Sequence, residues 1–174
     1  MQKLALNLVL LSSLMIATSF NIKPKEKIKW ISFSELQTQY AANPKPIIVD
    51  LYTSWCGWCK QMDRTTYSNP KVAAYINEHY YAVKYDAESR EPVVFNGISY
   101  SYNNTAKTND LALYLSFGQR EYPNTVFLTS LSARPAPLSG YMKTKEMEAP
   151  LRYFIEKVGE ETFIEFNKRM KSMF

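Results

Sequence analysis

The chain has 174 residues, 46% of them apolar and 21% charged, with a formal net charge of +5. That balance describes one ordinary globular domain and excludes a disordered or fibrous chain. Two cysteines and one histidine exclude a disulfide-built scaffold, and they cannot fill the four ligand places of a structural zinc site within one chain. Lysines and arginines are scattered without a dense block, so the charge reads as solubility and not as the footprint of a nucleic-acid partner.

Met1-Gln2-Lys3 places one positive charge before an apolar run from Leu4 to Ile16, interrupted only by Asn7, Ser12 and Ser13. The run is too short to cross a roughly 30 Å hydrocarbon core as a helix. It ends in Ala17-Thr18-Ser19, small residues at the spacing a signal peptidase reads, so residues 1–19 are expected to be a signal peptide. An uncleaved anchor or a buried first helix is the alternative. Residues 20–30 read as a lysine-rich tether and residues 31–174 as the folded domain. The expectation is an exported protein, periplasmic or otherwise extracytoplasmic, without stable membrane insertion after cleavage, in a compartment where disulfides persist.

Ser32-Phe33-Ser34-Glu35 has the spacing of a capping box, predicting a helix to about Ala42 that Asn43-Pro44-Lys45-Pro46 stops. Ile47-Ile48-Val49-Asp50-Leu51-Tyr52 is a short apolar run with one acid, as suits a central strand covered on both faces. A helical pattern runs from Cys56 through Thr65, and Asn69-Pro70 opens another helix to about His79. Tyr81 to Tyr85 is the next strand. Asn96-Gly97, between Val93 and Tyr100, supplies the two positive-φ residues of a tight hairpin turn. Asn109 or Asp110 caps a helix from Leu111 to Phe117, with Gly118 as its exit. Thr125 to Thr129 reads as a strand, with Leu138 to Tyr141 as its partner. Two helices close the chain, Lys145 to Val158 and Glu160 to Lys171, and in the second Phe163, Ile164, Phe166 and Met170 read as one packed face.

The chemistry lies in Trp55-Cys56-Gly57-Trp58-Cys59-Lys60. Two thiols separated by two residues, at a strand-to-helix junction, can close a small disulfide. The first sulfur then sits at a helix amino terminus, where unpaired amides and the helix dipole favour the thiolate. Only the thiolate attacks a disulfide, so Cys56 is expected to be the exposed nucleophile and Cys59, one turn in and more buried, the resolving thiol. Other readings stay open at this point. Half a zinc site would need further ligands, for which the sequence offers His79 alone. A purely structural disulfide would close too short a loop to stabilise much through chain entropy. Two thiolates also suit cuprous ion.

In these residues the chain resembles the thioredoxin superfamily, and most of all its exported single-domain members with a Trp-Cys-Gly-Trp-Cys-Lys active site. The resemblance runs from about Pro46 to Val158. It implies an α/β thioredoxin-like fold, a central mixed sheet flanked by helices, and dithiol/disulfide exchange needing no dissociable cofactor and no metal. Cys56 and Cys59 match the redox pair, Asp50 the buried acid beneath it, and Lys84 the lysine that pairs with that acid. Pro123, in Tyr122-Pro123-Asn124-Thr125, matches the cis-proline opposite the dithiol. A carboxylate among Ile47, Ile48, Val49 and Leu51 would be desolvated, its pKa raised toward neutrality and suited to taking the Cys59 proton. Trp55, Gly57, Trp58, Tyr122 and Pro123 are then the substrate-binding residues, with the two indoles as apolar walls.

Two departures from the family pattern matter. Gly57-Trp58 stands between the cysteines where general thioredoxins carry Gly-Pro and strong oxidants carry a histidine; a neutral indole adds no charge for the thiolate. This favours a reductant or isomerase over a strong oxidant. An insertion at about residues 92–108 carries the Asn96-Gly97 hairpin and is a candidate rim of the substrate groove. The reading from sequence is an exported thiol:disulfide oxidoreductase acting on exported cysteine-containing proteins, with a membrane electron donor if it works as a reductase. A polypeptide-binding module without redox turnover and a thiolate copper carrier remain the alternatives.

Overall fold

A computed structural model describes residues 26–174. The segment read as a signal peptide and the start of the tether lie outside the described residues. The elements run in the order β1 (Trp30–Ile31), α1 (Phe33–Ala42), β2 (Ile47–Tyr52), α2 (Gly57–Met62), α3 (Pro70–His79) and β3 (Tyr81–Asp86). Two small hairpins follow, β4 (Val93–Phe95) with β5 (Ile98–Tyr100) and β6 (Tyr102–Asn103) with β7 (Thr108–Asn109). The chain closes with α4 (Asp110–Leu115), β8 (Asn124–Leu128), β9 (Ala136–Ser139), α5 (Thr144–Glu156) and α6 (Phe163–Arg169).

Five strands form one mixed sheet in the order β1-β3-β2-β8-β9. β2 runs parallel to β3 and antiparallel to β8, and five of its six residues are buried. Its unbroken apolar run is explained by that position, since both faces carry core. On one face Ile48 and Phe127 pack with Met62, Val72, Ile76 and Leu151 from helices α2, α3 and α5. On the other, Val49, Leu51, Val83 and Val126 meet Leu36 of α1 and Leu111 and Leu115 of α4. The fold is the α/β thioredoxin-like arrangement, a central mixed sheet flanked by helices.

Several local signals act as their chemistry dictates. Ser32 and Glu35 form a reciprocal capping box on α1, and Asn69 and Asn109 cap α3 and α4 through their side-chain oxygens. Asn96 (φ 48°) and Gly97 (φ 76°) form the expected turn of the β4–β5 hairpin. That hairpin packs on α1: Phe95 is buried against the Phe33 ring, and Gln37 Nε2 donates to the Val94 carbonyl at 2.9 Å.

Other expectations need correction. The segment read as a tether already belongs to the fold at its end: Ile28 joins the core, and β1 pairs in parallel with β3. The helix opened at Cys56 does not run regularly through Thr65; α2 gives way to a π-helical turn over Asp63–Tyr67. The residues expected to share a packed face on the last helix differ in depth, although Phe163 and Phe166 both set an edge against the Tyr153 ring of α5. Phe166 is fully buried, whereas Phe163 and Ile164 are 42% and 66% exposed.

Candidate functional site

β2 ends at Tyr52, and Thr53-Ser54-Trp55 carry the chain over the sheet edge into α2. Cys56 is the N-cap of that helix. Its amide donates to the Thr53 carbonyl at 3.2 Å, and its Sγ accepts the Cys59 amide at 3.0 Å. The first sulfur therefore occupies the place of a capping oxygen, where the free amides of a first turn favour negative charge. Cys56 and Cys59 are joined in a disulfide, S–S 2.07 Å and Cα–Cα 5.3 Å. The expected difference in exposure between them is absent from this oxidised form: each cysteine is 4% exposed. The Cys56 sulfur lies against the first turn of α2, where it caps the Cys59 amide.

Trp55 and Trp58, by contrast, are 64% and 63% exposed. Trp55 meets the edge of Tyr122 at 6.2 Å, and its indole N–H donates to Glu88 Oε1 at 3.0 Å. Trp58 lies over Tyr141 at 5.5 Å. A Cβ on Gly57 would meet nothing within 4 Å, so this glycine leaves open space in front of the helix end. The Tyr122–Pro123 peptide bond is cis, and the buried Pro123 accepts the Gly140 amide through its carbonyl at 2.8 Å. The β2–β8 register sets Leu51 opposite Asn124, which brings Tyr122 and Pro123 to the same end of the sheet as the dithiol segment.

Beneath this end, Asp50 stands directly across from Lys84 in the β2–β3 register. The Lys84 ammonium donates to Asp50 Oδ2 at 2.8 Å and to Asp63 Oδ1 at 2.5 Å. The rings of Tyr52, Trp30 and Tyr67 surround it with centroids 5.0, 5.3 and 5.8 Å from Nζ. Burial pushes the Asp50 carboxyl up to about 6, and the neighbouring ammonium offsets only part of that cost. Burial also opposes charge on Lys84, but Asp50 and Asp63 outweigh it and hold its pKa above the ordinary lysine value. Lys84 is thus a charged member of a partly buried cluster, 23% exposed between a buried Asp50 and a 41% exposed Asp63, and not a solvated surface lysine. A cleft of about 400 Å³ lined by Trp30, Asp63, Tyr67, Ser68 and Lys84 connects the cluster with solvent.

The structure brings Trp55, Cys56, Gly57, Trp58, Cys59, Tyr122 and Pro123 together at one end of the sheet, with Asp50 and Lys84 placed on the strands below. His79 lies at the end of α3 against Tyr75, with ring centroids 4.4 Å apart. Five residues of the neighbourhood escaped the sequence reading: Trp30, Asp63, Tyr67, Glu88 and Tyr141. Only Asp63 and Tyr67 carried a signal, an acid and an aromatic one turn apart after the second cysteine. The π-helical turn supplies both to the cluster, and such turns are common at functional sites.

Comparison with known proteins bears on the fold and on the family. Over 46 residues, 26% of its length, the chain is 33% identical to the thiol:disulfide interchange protein DsbD of Pectobacterium atrosepticum, of which the match covers 8%. The chain spans about a tenth of the length of the curated relatives it matches. Among solved structures, a DsbH oxidoreductase superposes with a TM-score of 0.53 at 15% identity, covering 75% of this chain and 85% of the other. A thioredoxin from Thermus thermophilus gives 0.53 at 17% identity, with coverages of 72% and 85%. At these identities the superpositions speak for the thioredoxin fold alone. The family assignment comes from the sequence: the chain belongs to the thioredoxin-like family Thioredox_DsbH, described as "Protein of unknown function, DUF255", whose model matches residues 14–169.

Proposed function

We propose that this protein is a thiol:disulfide oxidoreductase that exchanges disulfides with polypeptide substrates outside the cytoplasm, as a reductant or isomerase. The observation that carries the reading is a two-cysteine pair capping a helix at one end of a sheet whose central strand holds a buried acid. In the reducing direction the Cys56 thiolate attacks one sulfur of a substrate disulfide, forming a mixed disulfide and releasing the first substrate thiolate. Asp50 takes the Cys59 proton, directly or through water. The Cys59 thiolate then attacks Cys56 Sγ, the second substrate thiolate leaves, and the protein keeps the Cys56–Cys59 disulfide. Two electrons pass from protein to substrate; the Cys59 proton held by Asp50 goes to one departing substrate thiolate, and the other takes its proton from solvent, which had received the Cys56 proton.

Lys84 tunes Asp50, while Trp55, Trp58 and the Tyr122–Pro123 segment form the surface on which a substrate chain lies. Exposure of both indoles beside a dithiol that is itself covered supports that assignment, because an apolar contact surface is already in place around the reacting sulfur. Return to the dithiol form requires an external two-electron thiol donor, which we assign to a membrane carrier. Equilibration of the protein with glutathione mixtures tests the direction. A reductant or isomerase should lie between about −270 and −180 mV, and a value near about −120 mV would make it an oxidant.

A further inference from the structure

Each indole of the redox motif opens onto a cleft that carries uncompensated positive charge. The Trp58 cleft is lined by Gly57, Trp58, Gln61 and Arg64. The Trp55 cleft, about 240 Å³, is lined by Glu88, Lys107, Arg120 and Tyr122 beside the indole. Lys107 comes from the loop between β6 and β7, so the insertion builds this second cleft. Its backbone is left-handed (φ 56°), a conformation easier for glycine, yet the position carries a cation. Arg120 is fixed to the same loop by an Nη1 donation to the Ala106 carbonyl at 2.8 Å. In the Trp55 cleft Lys107 and Arg120 stand with one acid, Glu88, whose carboxylate already receives the Trp55 N–H, and Arg64 is the charged residue of the Trp58 cleft. Among the described residues none of the three cations enters an ion pair.

We infer that the preferred substrate is a polypeptide whose reacting cysteine is flanked by acidic residues, one side chain entering each basic cleft beside its indole. The inference rests on the oxidoreductase reading and names the substrate class for that site. Clefts lined by charge of one sign raise the local concentration and encounter rate of oppositely charged partners. Such rim charges act mainly on association rate and on salt dependence. The paired indoles add sequence-tolerant apolar contact, so charge is the feature that discriminates.

The test uses the reduced full-length protein and disulfide-linked model peptides that differ only in glutamate or lysine on both sides of the cysteine. At low salt the glutamate peptide should react at least about tenfold faster, and the advantage should shrink toward parity in high salt. In a Lys107→Glu, Arg64→Glu variant the ratio of the two rates should collapse or invert. Equal rates in the unaltered protein, or a ratio that survives the variant, would overturn the inference. The disulfide of mercaptopropionate, compared with that of mercaptoethanol, offers carboxylates without a polypeptide. If its advantage equals that of the glutamate peptide, small carboxylate thiols and not polypeptides are the occupants, and the inference fails.

Cysteine-to-serine versions of both peptides, titrated by indole fluorescence, separate this inference from the reading beneath it. Tighter binding of the glutamate peptide without any exchange of its disulfide partner would keep the clefts and remove the oxidoreductase. Exchange without charge preference would do the reverse.

Discussion

The ammonium of Lys84 lies 2.8 Å from Asp50 Oδ2, in direct register across two parallel strands, and yet the acid's pKa is raised to about 6. Burial of a carboxylate under the sheet end costs more than one partly exposed ammonium returns, the more so because Lys84 divides its donors between Asp50 and Asp63. The proposed base is therefore ionised at neutral pH while keeping enough proton affinity to accept a proton. The rate of resolution by Cys59 should rise with pH through about 6. In Asp50→Asn it should fall at least about tenfold and lose that inflection. Single-turnover kinetics of mixed-disulfide breakdown provide the measurement.

The same group leaves a signature on stability. A carboxyl whose folded pKa is raised binds its proton more tightly in the native state. Its contribution is present below the unfolded value of 3.8 and is lost as pH rises to about 6. Relative to the unaltered protein, Asp50→Asn should gain about 3 kcal/mol between pH 3.5 and pH 7.5, by the free energy of a two-unit shift. Urea midpoints of both proteins at the two pH values give the difference.

Lys84 and Asp63 should move the Asp50 titration in opposite directions. Lys84→Met removes the favourable charge and leaves the burial, so the Asp50 midpoint rises above about 6. Asp63→Asn removes a repelling carboxylate and frees Lys84 for Asp50, so the midpoint falls. Carbon NMR of the Asp50 carboxyl across the pH range reads both shifts.

The two sides of the last helix should respond unequally to truncation. Phe166→Ala empties a fully buried site and should cost about 3–5 kcal/mol, whereas Ile164→Ala, 66% exposed, should change stability by less than about 0.5 kcal/mol. Denaturant unfolding of the two variants decides this.

Much of the scaffold was legible because its signals are local. The Ser32–Glu35 box, the Asn69 and Asn109 caps and the Asn96-Gly97 turn each act within a few residues. The run from Ile47 to Tyr52 carried its own position at the centre of the sheet. The redox pair was legible through its own spacing, and Asp50, Lys84 and Pro123 as positions implied by the resemblance to the thioredoxin superfamily. What escaped depends on long-range geometry. Trp30 reaches Lys84 because a two-residue strand pairs with β3, a contact about fifty residues distant in sequence. Asp63 and Tyr67 meet the same ammonium from a π-helical turn, which the helical pattern from Cys56 through Thr65 did not anticipate. Tyr141 reaches Trp58 only through the path of the chain after β9. The two cysteines are equally buried in the disulfide form, whereas the expected difference in exposure was drawn for the free thiols.

The division of labour between the two sulfurs is the claim on which the function rests. Reduced Cys59→Ser and Cys56→Ser proteins, each mixed with a disulfide-linked peptide and quenched in acid, can be compared by intact mass. The account predicts a stable mixed disulfide on Cys56 in the first variant and no adduct in the second. Adducts of equal yield in both, or in neither, would contradict it.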